Sequence, residues 1–261
     1  MTDITEIPLT GGNVNTVVRV GNTVRRNQAA ASASIHRLLT FLHDQGFHQC
    51  PKFLGVDDKN REILSFIPGQ TDFPKDLWTS EAYLIAAADM LKTFHATTAK
   101  FTQQDTDVWL TLNDRQRPND VICHNDFAPY NFVYSKQGIE AVVDFDLASP
   151  GNPLMDVAYA AYWMVPLSFS APDMLPLSML DIELSSRRLK QFCAVYGTEL
   201  NISLLDVVEE KLLVMSDEQT MTQLLGLEVT ERLKKEGHLE HWRKEHAAFK
   251  LNRVLIENNF P

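Results

Sequence analysis

The chain is poor in the residues that staple small folds. Its three cysteines, Cys50, Cys123 and Cys193, are far apart and odd in number, and no CxxC occurs. Neither a zinc ribbon nor a disulfide framework follows from that spacing. The HExxH pattern is also missing, so His238, His241 and His246 read as a solvated helix face rather than a metal site. No run of 18 apolar residues exists, which excludes a membrane-spanning helix on length. There is no long basic run. Lys and Arg number 24 against 34 Asp and Glu, a net charge of −10. Nucleic acid is therefore excluded as an expected partner, because neutralising phosphates supplies most of that affinity. The opening MTDITEIPLT is polar and acidic, unlike a secretory signal. The expectation is a cytoplasmic protein with no membrane partner. Nothing in the sequence sets an oligomeric state.

What remains is ample for a globular core. The chain has 261 residues, 44% hydrophobic and 22% charged. Its charge is divided unevenly. Residues 1–68 hold seven Lys/Arg against six Asp/Glu, and the rest holds 17 against 28. The first part reads as strands around one helix. Asn15–Val20 and Thr23–Arg26 are β-prone runs joined by Gly21-Asn22. Ser34 is placed to cap a helix carrying Ile35, Leu38, Leu39 and Leu42, ending near Gly46. Phe53–Val56 and Glu62–Ile67 are two further strands, and Pro68-Gly69 marks a boundary. The second part is mainly helical: Glu81–His95, Asp181–Tyr196, and Leu204 to about Phe249 with breaks near Asp217 and Gly237. Short strands at Val121–Cys123, Asn131–Tyr134 and Ile139–Asp144 interrupt it. The fold class is α+β: a small β-rich lobe over 1–67 and a larger helical lobe over 68–261.

Chemistry concentrates in His124-Asn125-Asp126-Phe127-Ala128-Pro129-Tyr130-Asn131, followed by Asp144-Phe145-Asp146. An Asp and an Asn five residues apart, with an Asp ending a nearby hairpin, can converge on one point. Amide and carboxylate oxygens suit Mg²⁺, and a separate carboxylate can orient a hydroxyl proton. These are the needs of phosphoryl transfer. The expected roles are Asp126 on the acceptor hydroxyl, and Asn131 and Asp144 on a Mg²⁺ that bridges the nucleotide phosphates. Asp146 is either a second metal contact or a turn residue.

This His-x-Asp-x4-Asn with Val143-Asp144-Phe145-Asp146 resembles the catalytic and metal loops of the aminoglycoside phosphotransferase and choline kinase-like family, relatives of the protein kinases. The resemblance spans residues 9–165. Asn125–Asn131 is similar in wording to a subgroup associated with trifolitoxin immunity. The resemblance implies a bilobal protein-kinase-like fold. It implies a phosphate-covering loop at Gly11 and Gly12, and a hinge at Ser65, Phe66 and Ile67 whose backbone meets the base of ATP or GTP. It also implies structural support from His124 and Asp156. The implied acceptor is a small hydroxyl compound such as an aminoglycoside, choline or a sugar, and the acidic second lobe mildly favours a cationic one.

One scarcity cuts against the pattern. No Lys precedes Lys52, and no Glu lies between Glu6 and Glu62. The kinase Lys–Glu pair of the first lobe is therefore not expected, and Arg25 or Arg26 must serve the phosphates, with a slight preference for Arg26. His36 is the polar residue nearest the expected Glu position. Two readings follow: an active small-molecule phosphotransferase, or a catalytically weak or inactive kinase-like binding or immunity protein. Asp173, Asp181, Glu183, Glu209 and Glu210 read as a solvated face before they read as an acceptor pocket.

Overall fold

A computed structural model of the chain describes residues 5–9, 17–110, 120–165, 167–170, 182–198 and 202–259. Gly11, Gly12, Asp173 and Asp181 lie outside these residues. The first lobe is an antiparallel sheet of five strands: β1 (Ile7–Pro8), β2 (Val18–Val20), β3 (Thr23–Asn27), β4 (Phe53–Val56) and β5 (Arg61–Ser65), in the order β1-β2-β3-β5-β4. Gly21 turns between β2 and β3 at φ +59°, where a side chain would be strained. Helix α1 (Ser32–Asp44) crosses between β3 and β4, and its stripe of Ile35, Leu38, Leu39 and Leu42 is buried, as the spacing requires. The helix starts two residues before Ser34. The Ser34 hydroxyl is not a cap; it accepts from the backbone N–H of Val108, 2.7 Å away. Gly46 ends the helix in a left-handed conformation, and Phe47 folds back into the core.

The second lobe carries α2 (Glu81–Thr98), two short β pairs, and α3 (Pro153–Met164) at its centre. Strand β6 (Val121–Cys123) pairs with β9 (Ser149–Gly151), and β7 (Phe132–Ser135) with β8 (Gly138–Val142). Helix α3 is apolar on nearly every face and is correspondingly enclosed. Asn152 caps its first turn by accepting from Leu154 N–H, and Pro153 sits where no intrahelical donor is needed. Its last carbonyls receive Arg188 of α4 (Ile182–Tyr196), which donates to Met164 and Val165 at 2.9 and 3.0 Å. Four helices close the chain: α5 (Ile202–Ser216), α6 (Glu218–Leu225), α7 (Leu227–Lys235) and α8 (His238–Glu257). The breaks at Asp217 and Gly237 fall where the sequence puts them. A third, at Gly226 (φ +82°), splits α6 from α7. No helix of the described residues is long and apolar enough to cross a membrane.

The lobes are joined without slack. A Cβ on Gly69 would lie 2.4 Å from Val133 Cγ1 and 2.6 Å from the Tyr134 carbonyl, so only glycine fits. The next residue, Gln70, exchanges both backbone hydrogen bonds with Tyr134 of β7, at 2.8 and 2.9 Å. Tyr134 in turn donates its hydroxyl to the Pro129 carbonyl, in the loop that carries Asp126.

Candidate active site

A cleft of about 950 Å³ lies between the lobes. The first lobe contributes Val17, Val24 and Arg26; the chain crossing between lobes contributes Ser65, Phe66 and Ile67; the second lobe contributes Asp126, Asp144 and Asp146. The expected hinge thus lies on the cleft wall. Ser65 is held by two bonds to the Lys52 backbone, and the Phe66 ring lies 3.8 Å beneath the Arg19 guanidinium.

The two arginines part company, for a reason strand geometry supplies. Successive side chains alternate faces, and Val24 with Arg26 takes the cleft face. Arg25 does not reach the cleft. It turns to Asp57, 3.7 Å away, and to the Thr23 hydroxyl, which corrects its expected phosphate role. Arg26 sits directly opposite Glu62 in the β3–β5 register and pairs with it. It also reaches Asp146 at 2.6 Å and Asp144 at 3.6 Å. The side chain is 13% exposed. Burial opposes its charge, but Asp146, Glu62 and Asp144 more than offset that and drive its pKa further up. A cation–carboxylate pair therefore exists after all. Its acid comes from the neighbouring strand rather than from a helix. His36 of α1 completes it, with Nε2 at 2.5 Å from the other Glu62 oxygen. Against the cost of burial, these partners hold the Glu62 carboxyl below its ordinary pKa.

The loop between β6 and β7 is braced from below. Asp156, fully buried in the first turn of α3, accepts from the backbone N–H groups of His124 (2.6 Å) and Asn125 (2.7 Å) and from His95 Nε2 (3.1 Å). Burial alone would raise its pKa, but these donors lower it. His124 spans the loop, with Nε2 at 3.1 Å from the Val143 carbonyl and Nδ1 accepting from Asp126 N–H. Burial pushes its pKa down, in keeping with a neutral ring that donates at one nitrogen and accepts at the other. Asn125 holds φ +64° and donates from its side chain to the Leu147 carbonyl and Ser149 hydroxyl. Asn tolerates that left-handed backbone better than most residues.

Asp126 and Asn131 face each other at the ends of the loop. The Asn131 amide nitrogen donates to the Asp126 carbonyl (2.9 Å) and carboxylate (2.8 Å), which leaves the amide oxygen available to a cation. The Asn131 carbonyl accepts from Val143 N–H, so Asn131 lies beside the residue preceding Asp144. Asp144 holds φ +63° with its side chain 48% exposed. Desolvation by the surrounding walls, then the neighbouring Asp146, push its pKa up to about 6 against the pull of Arg26. An amide oxygen and a carboxylate oxygen, with more carboxylates near, form a hard donor set that fits Mg²⁺. Asp146 lies in the turn that follows Phe145, one of the two alternatives expected, and pairs there with Arg26.

Four residues come into view only in the fold. Glu62 is one. The Tyr130 hydroxyl donates to the second Asp126 oxygen and meets the Tyr159 hydroxyl at 2.8 Å. Lys211 of α5 donates to the Asn125 carbonyl at 2.9 Å and lies 4.8 Å from the centre of the Tyr159 ring. Burial lowers its pKa, with Asp156 and Asp126 acting the other way. Of the helical acids expected as a solvated face, Glu183 and Glu210 are exposed, whereas Glu209 is half-buried and pairs with Arg253 at 3.0 Å, with His246 3.7 Å away.

Comparison with known proteins identifies the family and the fold. The model of the phosphotransferase enzyme family matches residues 6–121 and 100–175. The chain is similar to the trifolitoxin immunity protein of Rhizobium leguminosarum bv. trifolii, 32% identical over 161 residues, which are 60% of this chain and 61% of that protein. It therefore spans about three fifths of that relative. Among solved structures, the ADP-bound aminoglycoside phosphotransferase APH(2'')-Ib superposes with a TM-score of 0.57 at 14% identity, over 95% of both chains. A choline/ethanolamine kinase family protein from Mesorhizobium loti superposes at 0.54 and 16%, over 97% of this chain and 88% of that one. At such identities the shared feature is the bilobal kinase-like fold. With family matches running from residue 6 to residue 175, the chain belongs to the phosphotransferase enzyme family.

Proposed function

We propose that the protein transfers the γ-phosphoryl group of ATP or GTP to a hydroxyl of a small molecule. The observation that carries this reading is the joining of Asp126, Asn131 and Asp144 by the Asn131 and Val143 bonds, at the floor of a cleft walled by the hinge. Asp126 accepts a hydrogen bond from the acceptor hydroxyl and takes its proton as the oxygen bonds to the γ-phosphorus. The bond from that phosphorus to the bridging oxygen breaks, and the nucleoside diphosphate leaves. Asn131 and Asp144 are the residues that would hold Mg²⁺, which supplies charge neutralisation on the phosphates. Arg26 fixes Asp146 and Glu62, and its outer nitrogen, loosely set at 3.6 Å from Asp144, is the one that would meet the phosphates. Lys211 steadies the loop through the Asn125 carbonyl.

The acceptor class is a small hydroxyl compound, with an aminoglycoside or choline-like cation favoured by the names of the similar structures and by the acidic second lobe. A second reading, an immunity protein that binds without turnover, is supported by the Tyr130 hydroxyl on Asp126 and by the similarity to trifolitoxin immunity protein. Calorimetry with ATP and GTP, with and without Mg²⁺, followed by turnover across a panel of hydroxyl compounds, separates the two. Mg²⁺-dependent binding with transfer supports the enzyme. Tight binding with no transfer supports the immunity reading, and no nucleotide binding at all overturns both nucleotide roles.

A further inference from the structure

Helices α6 and α7 reach back over the cleft from the end of the chain. On α7, Val229, Arg232 and Leu233 occupy positions i, i+3 and i+4 and line the cavity together with Leu225 of α6. The opposite face, with Glu228, Glu231, Lys234 and Lys235, is exposed. The helix thus presents one stripe to the site, with a single charged residue in it.

That residue is unusual in what it lacks. The Nε and Nη2 atoms of Arg232 are fully buried and have no hydrogen-bond partner. The side chain as a whole is half-buried, and an enclosed donor without a partner costs free energy. Among the described residues no hydrogen bond to a carboxylate relieves these two atoms. Among the described residues lining the cavity, Arg26 is the other cation, and it is surrounded by Glu62, Asp144 and Asp146. Among the described residues the cavity therefore holds one cation already matched by carboxylates and one with two donor nitrogens unpaired. An anion entering the cleft would meet that demand. A planar guanidinium with two unused donors suits a phosphate oxygen pair.

We propose that α6 and α7 form a lid on the nucleotide cleft and that Arg232 is its phosphate contact, supplied from the end of the chain where the first lobe has no lysine to offer. The inference rests on the nucleotide reading above. Apolar Leu225, Val229 and Leu233 exclude water around the guanidinium, so its bond to a phosphate is made in a desolvated setting.

Isothermal titration calorimetry on the full chain tests this, comparing wild type, R232M and R232K against ADP, GDP, adenosine and guanosine with Mg²⁺. The expected result is a loss of about tenfold to a hundredfold in diphosphate affinity for R232M, the range of a charge-assisted hydrogen bond. Nucleoside affinity stays within about twofold, and R232K recovers part of the loss. Without nucleotide, R232M should melt at or above the wild-type temperature, because it removes two unpaired donors. A merely structural arginine would lower that temperature instead. Diphosphate affinity unchanged in R232M overturns the assignment while leaving the nucleotide reading intact. Failure of the wild type to bind any of the four ligands overturns the nucleotide reading, and this inference with it.

Discussion

Asp126 has both carboxylate oxygens engaged within its own loop, by Tyr130 on one side and Asn131 on the other. The Asn131 bond orients it. The Tyr130 bond stands where an incoming hydroxyl would have to bind. Asp126→Asn should lower turnover by about 10²–10⁴-fold while leaving nucleotide affinity nearly unchanged, read by kinetics and calorimetry together. Tyr130→Phe should act in the opposite sense. It frees one Asp126 oxygen, so hydrolysis of nucleotide by water should rise, measurable as phosphate release without any acceptor. A fall in that rate would show that the tyrosine helps rather than blocks. At Arg26, removal of the guanidinium leaves the buried Glu62 with His36 as its remaining partner. Arg26→Ala should destabilise the protein by about 3–5 kcal/mol in urea denaturation, and the Arg26→Ala, Glu62→Gln double variant should regain part of that. These residues were unequally legible. Asp126, Asn131 and Asp144 stand in one short motif whose spacing survives folding. The choice of Arg26 over Arg25 was readable from strand alternation, since Val24 and Arg26 share a face. Glu62 was not, because its partner lies 36 residues away and meets it only through strand register.

The elements around the loop are held by a few polar anchors rather than by packing alone. Asp156, at the start of α3, supports three donors from two other elements. Its folded pKa is depressed, so the stability it contributes is fully present above the unfolded carboxylate value of 3.8 and is lost as pH falls through the lower folded value. Asp156→Asn should cost about 1.5–3 kcal/mol for each charge-assisted bond lost. It should also flatten the acid limb of a pH–stability curve below about pH 4; an unchanged acid limb would remove Asp156 from that role. Helix existence was readable here from apolar spacing, and α1 and α2 fall where the spacing puts them. What α6 and α7 pack against was not readable. Their stripe of Leu, Val and Arg is compatible with a core, and only the fold shows that it lines the cleft.

For the whole molecule, the uneven charge of the chain has a spatial counterpart. The cleft floor gathers Asp126, Asp144 and Asp146 from the acidic second lobe beneath an arginine from the near-neutral first lobe. A divalent cation with nucleotide should therefore raise the melting temperature more than nucleotide alone, because it neutralises acids that Arg26 leaves in excess. Equal shifts with and without Mg²⁺ would count against Asn131 and Asp144 as its ligands.

The glycine at the junction between lobes has a mechanical consequence. Gly69 is pressed against Val133 and Tyr134, and Gln70 is clamped to Tyr134 from both sides. The crossing is thereby held at both ends, by the Phe66 N–H on the Asn22 carbonyl and by Gln70 on Tyr134, with Ile67 to Gly69 between. The same tyrosine grips Pro129, so a displacement at Gln70 would reach the loop bearing Asp126. Gly69→Ala would wedge the joint, at a cost of about 1–3 kcal/mol. Hydrogen exchange should show it as faster exchange at the Gln70 and Tyr134 amides, with the amides of β3 and β5 unaltered.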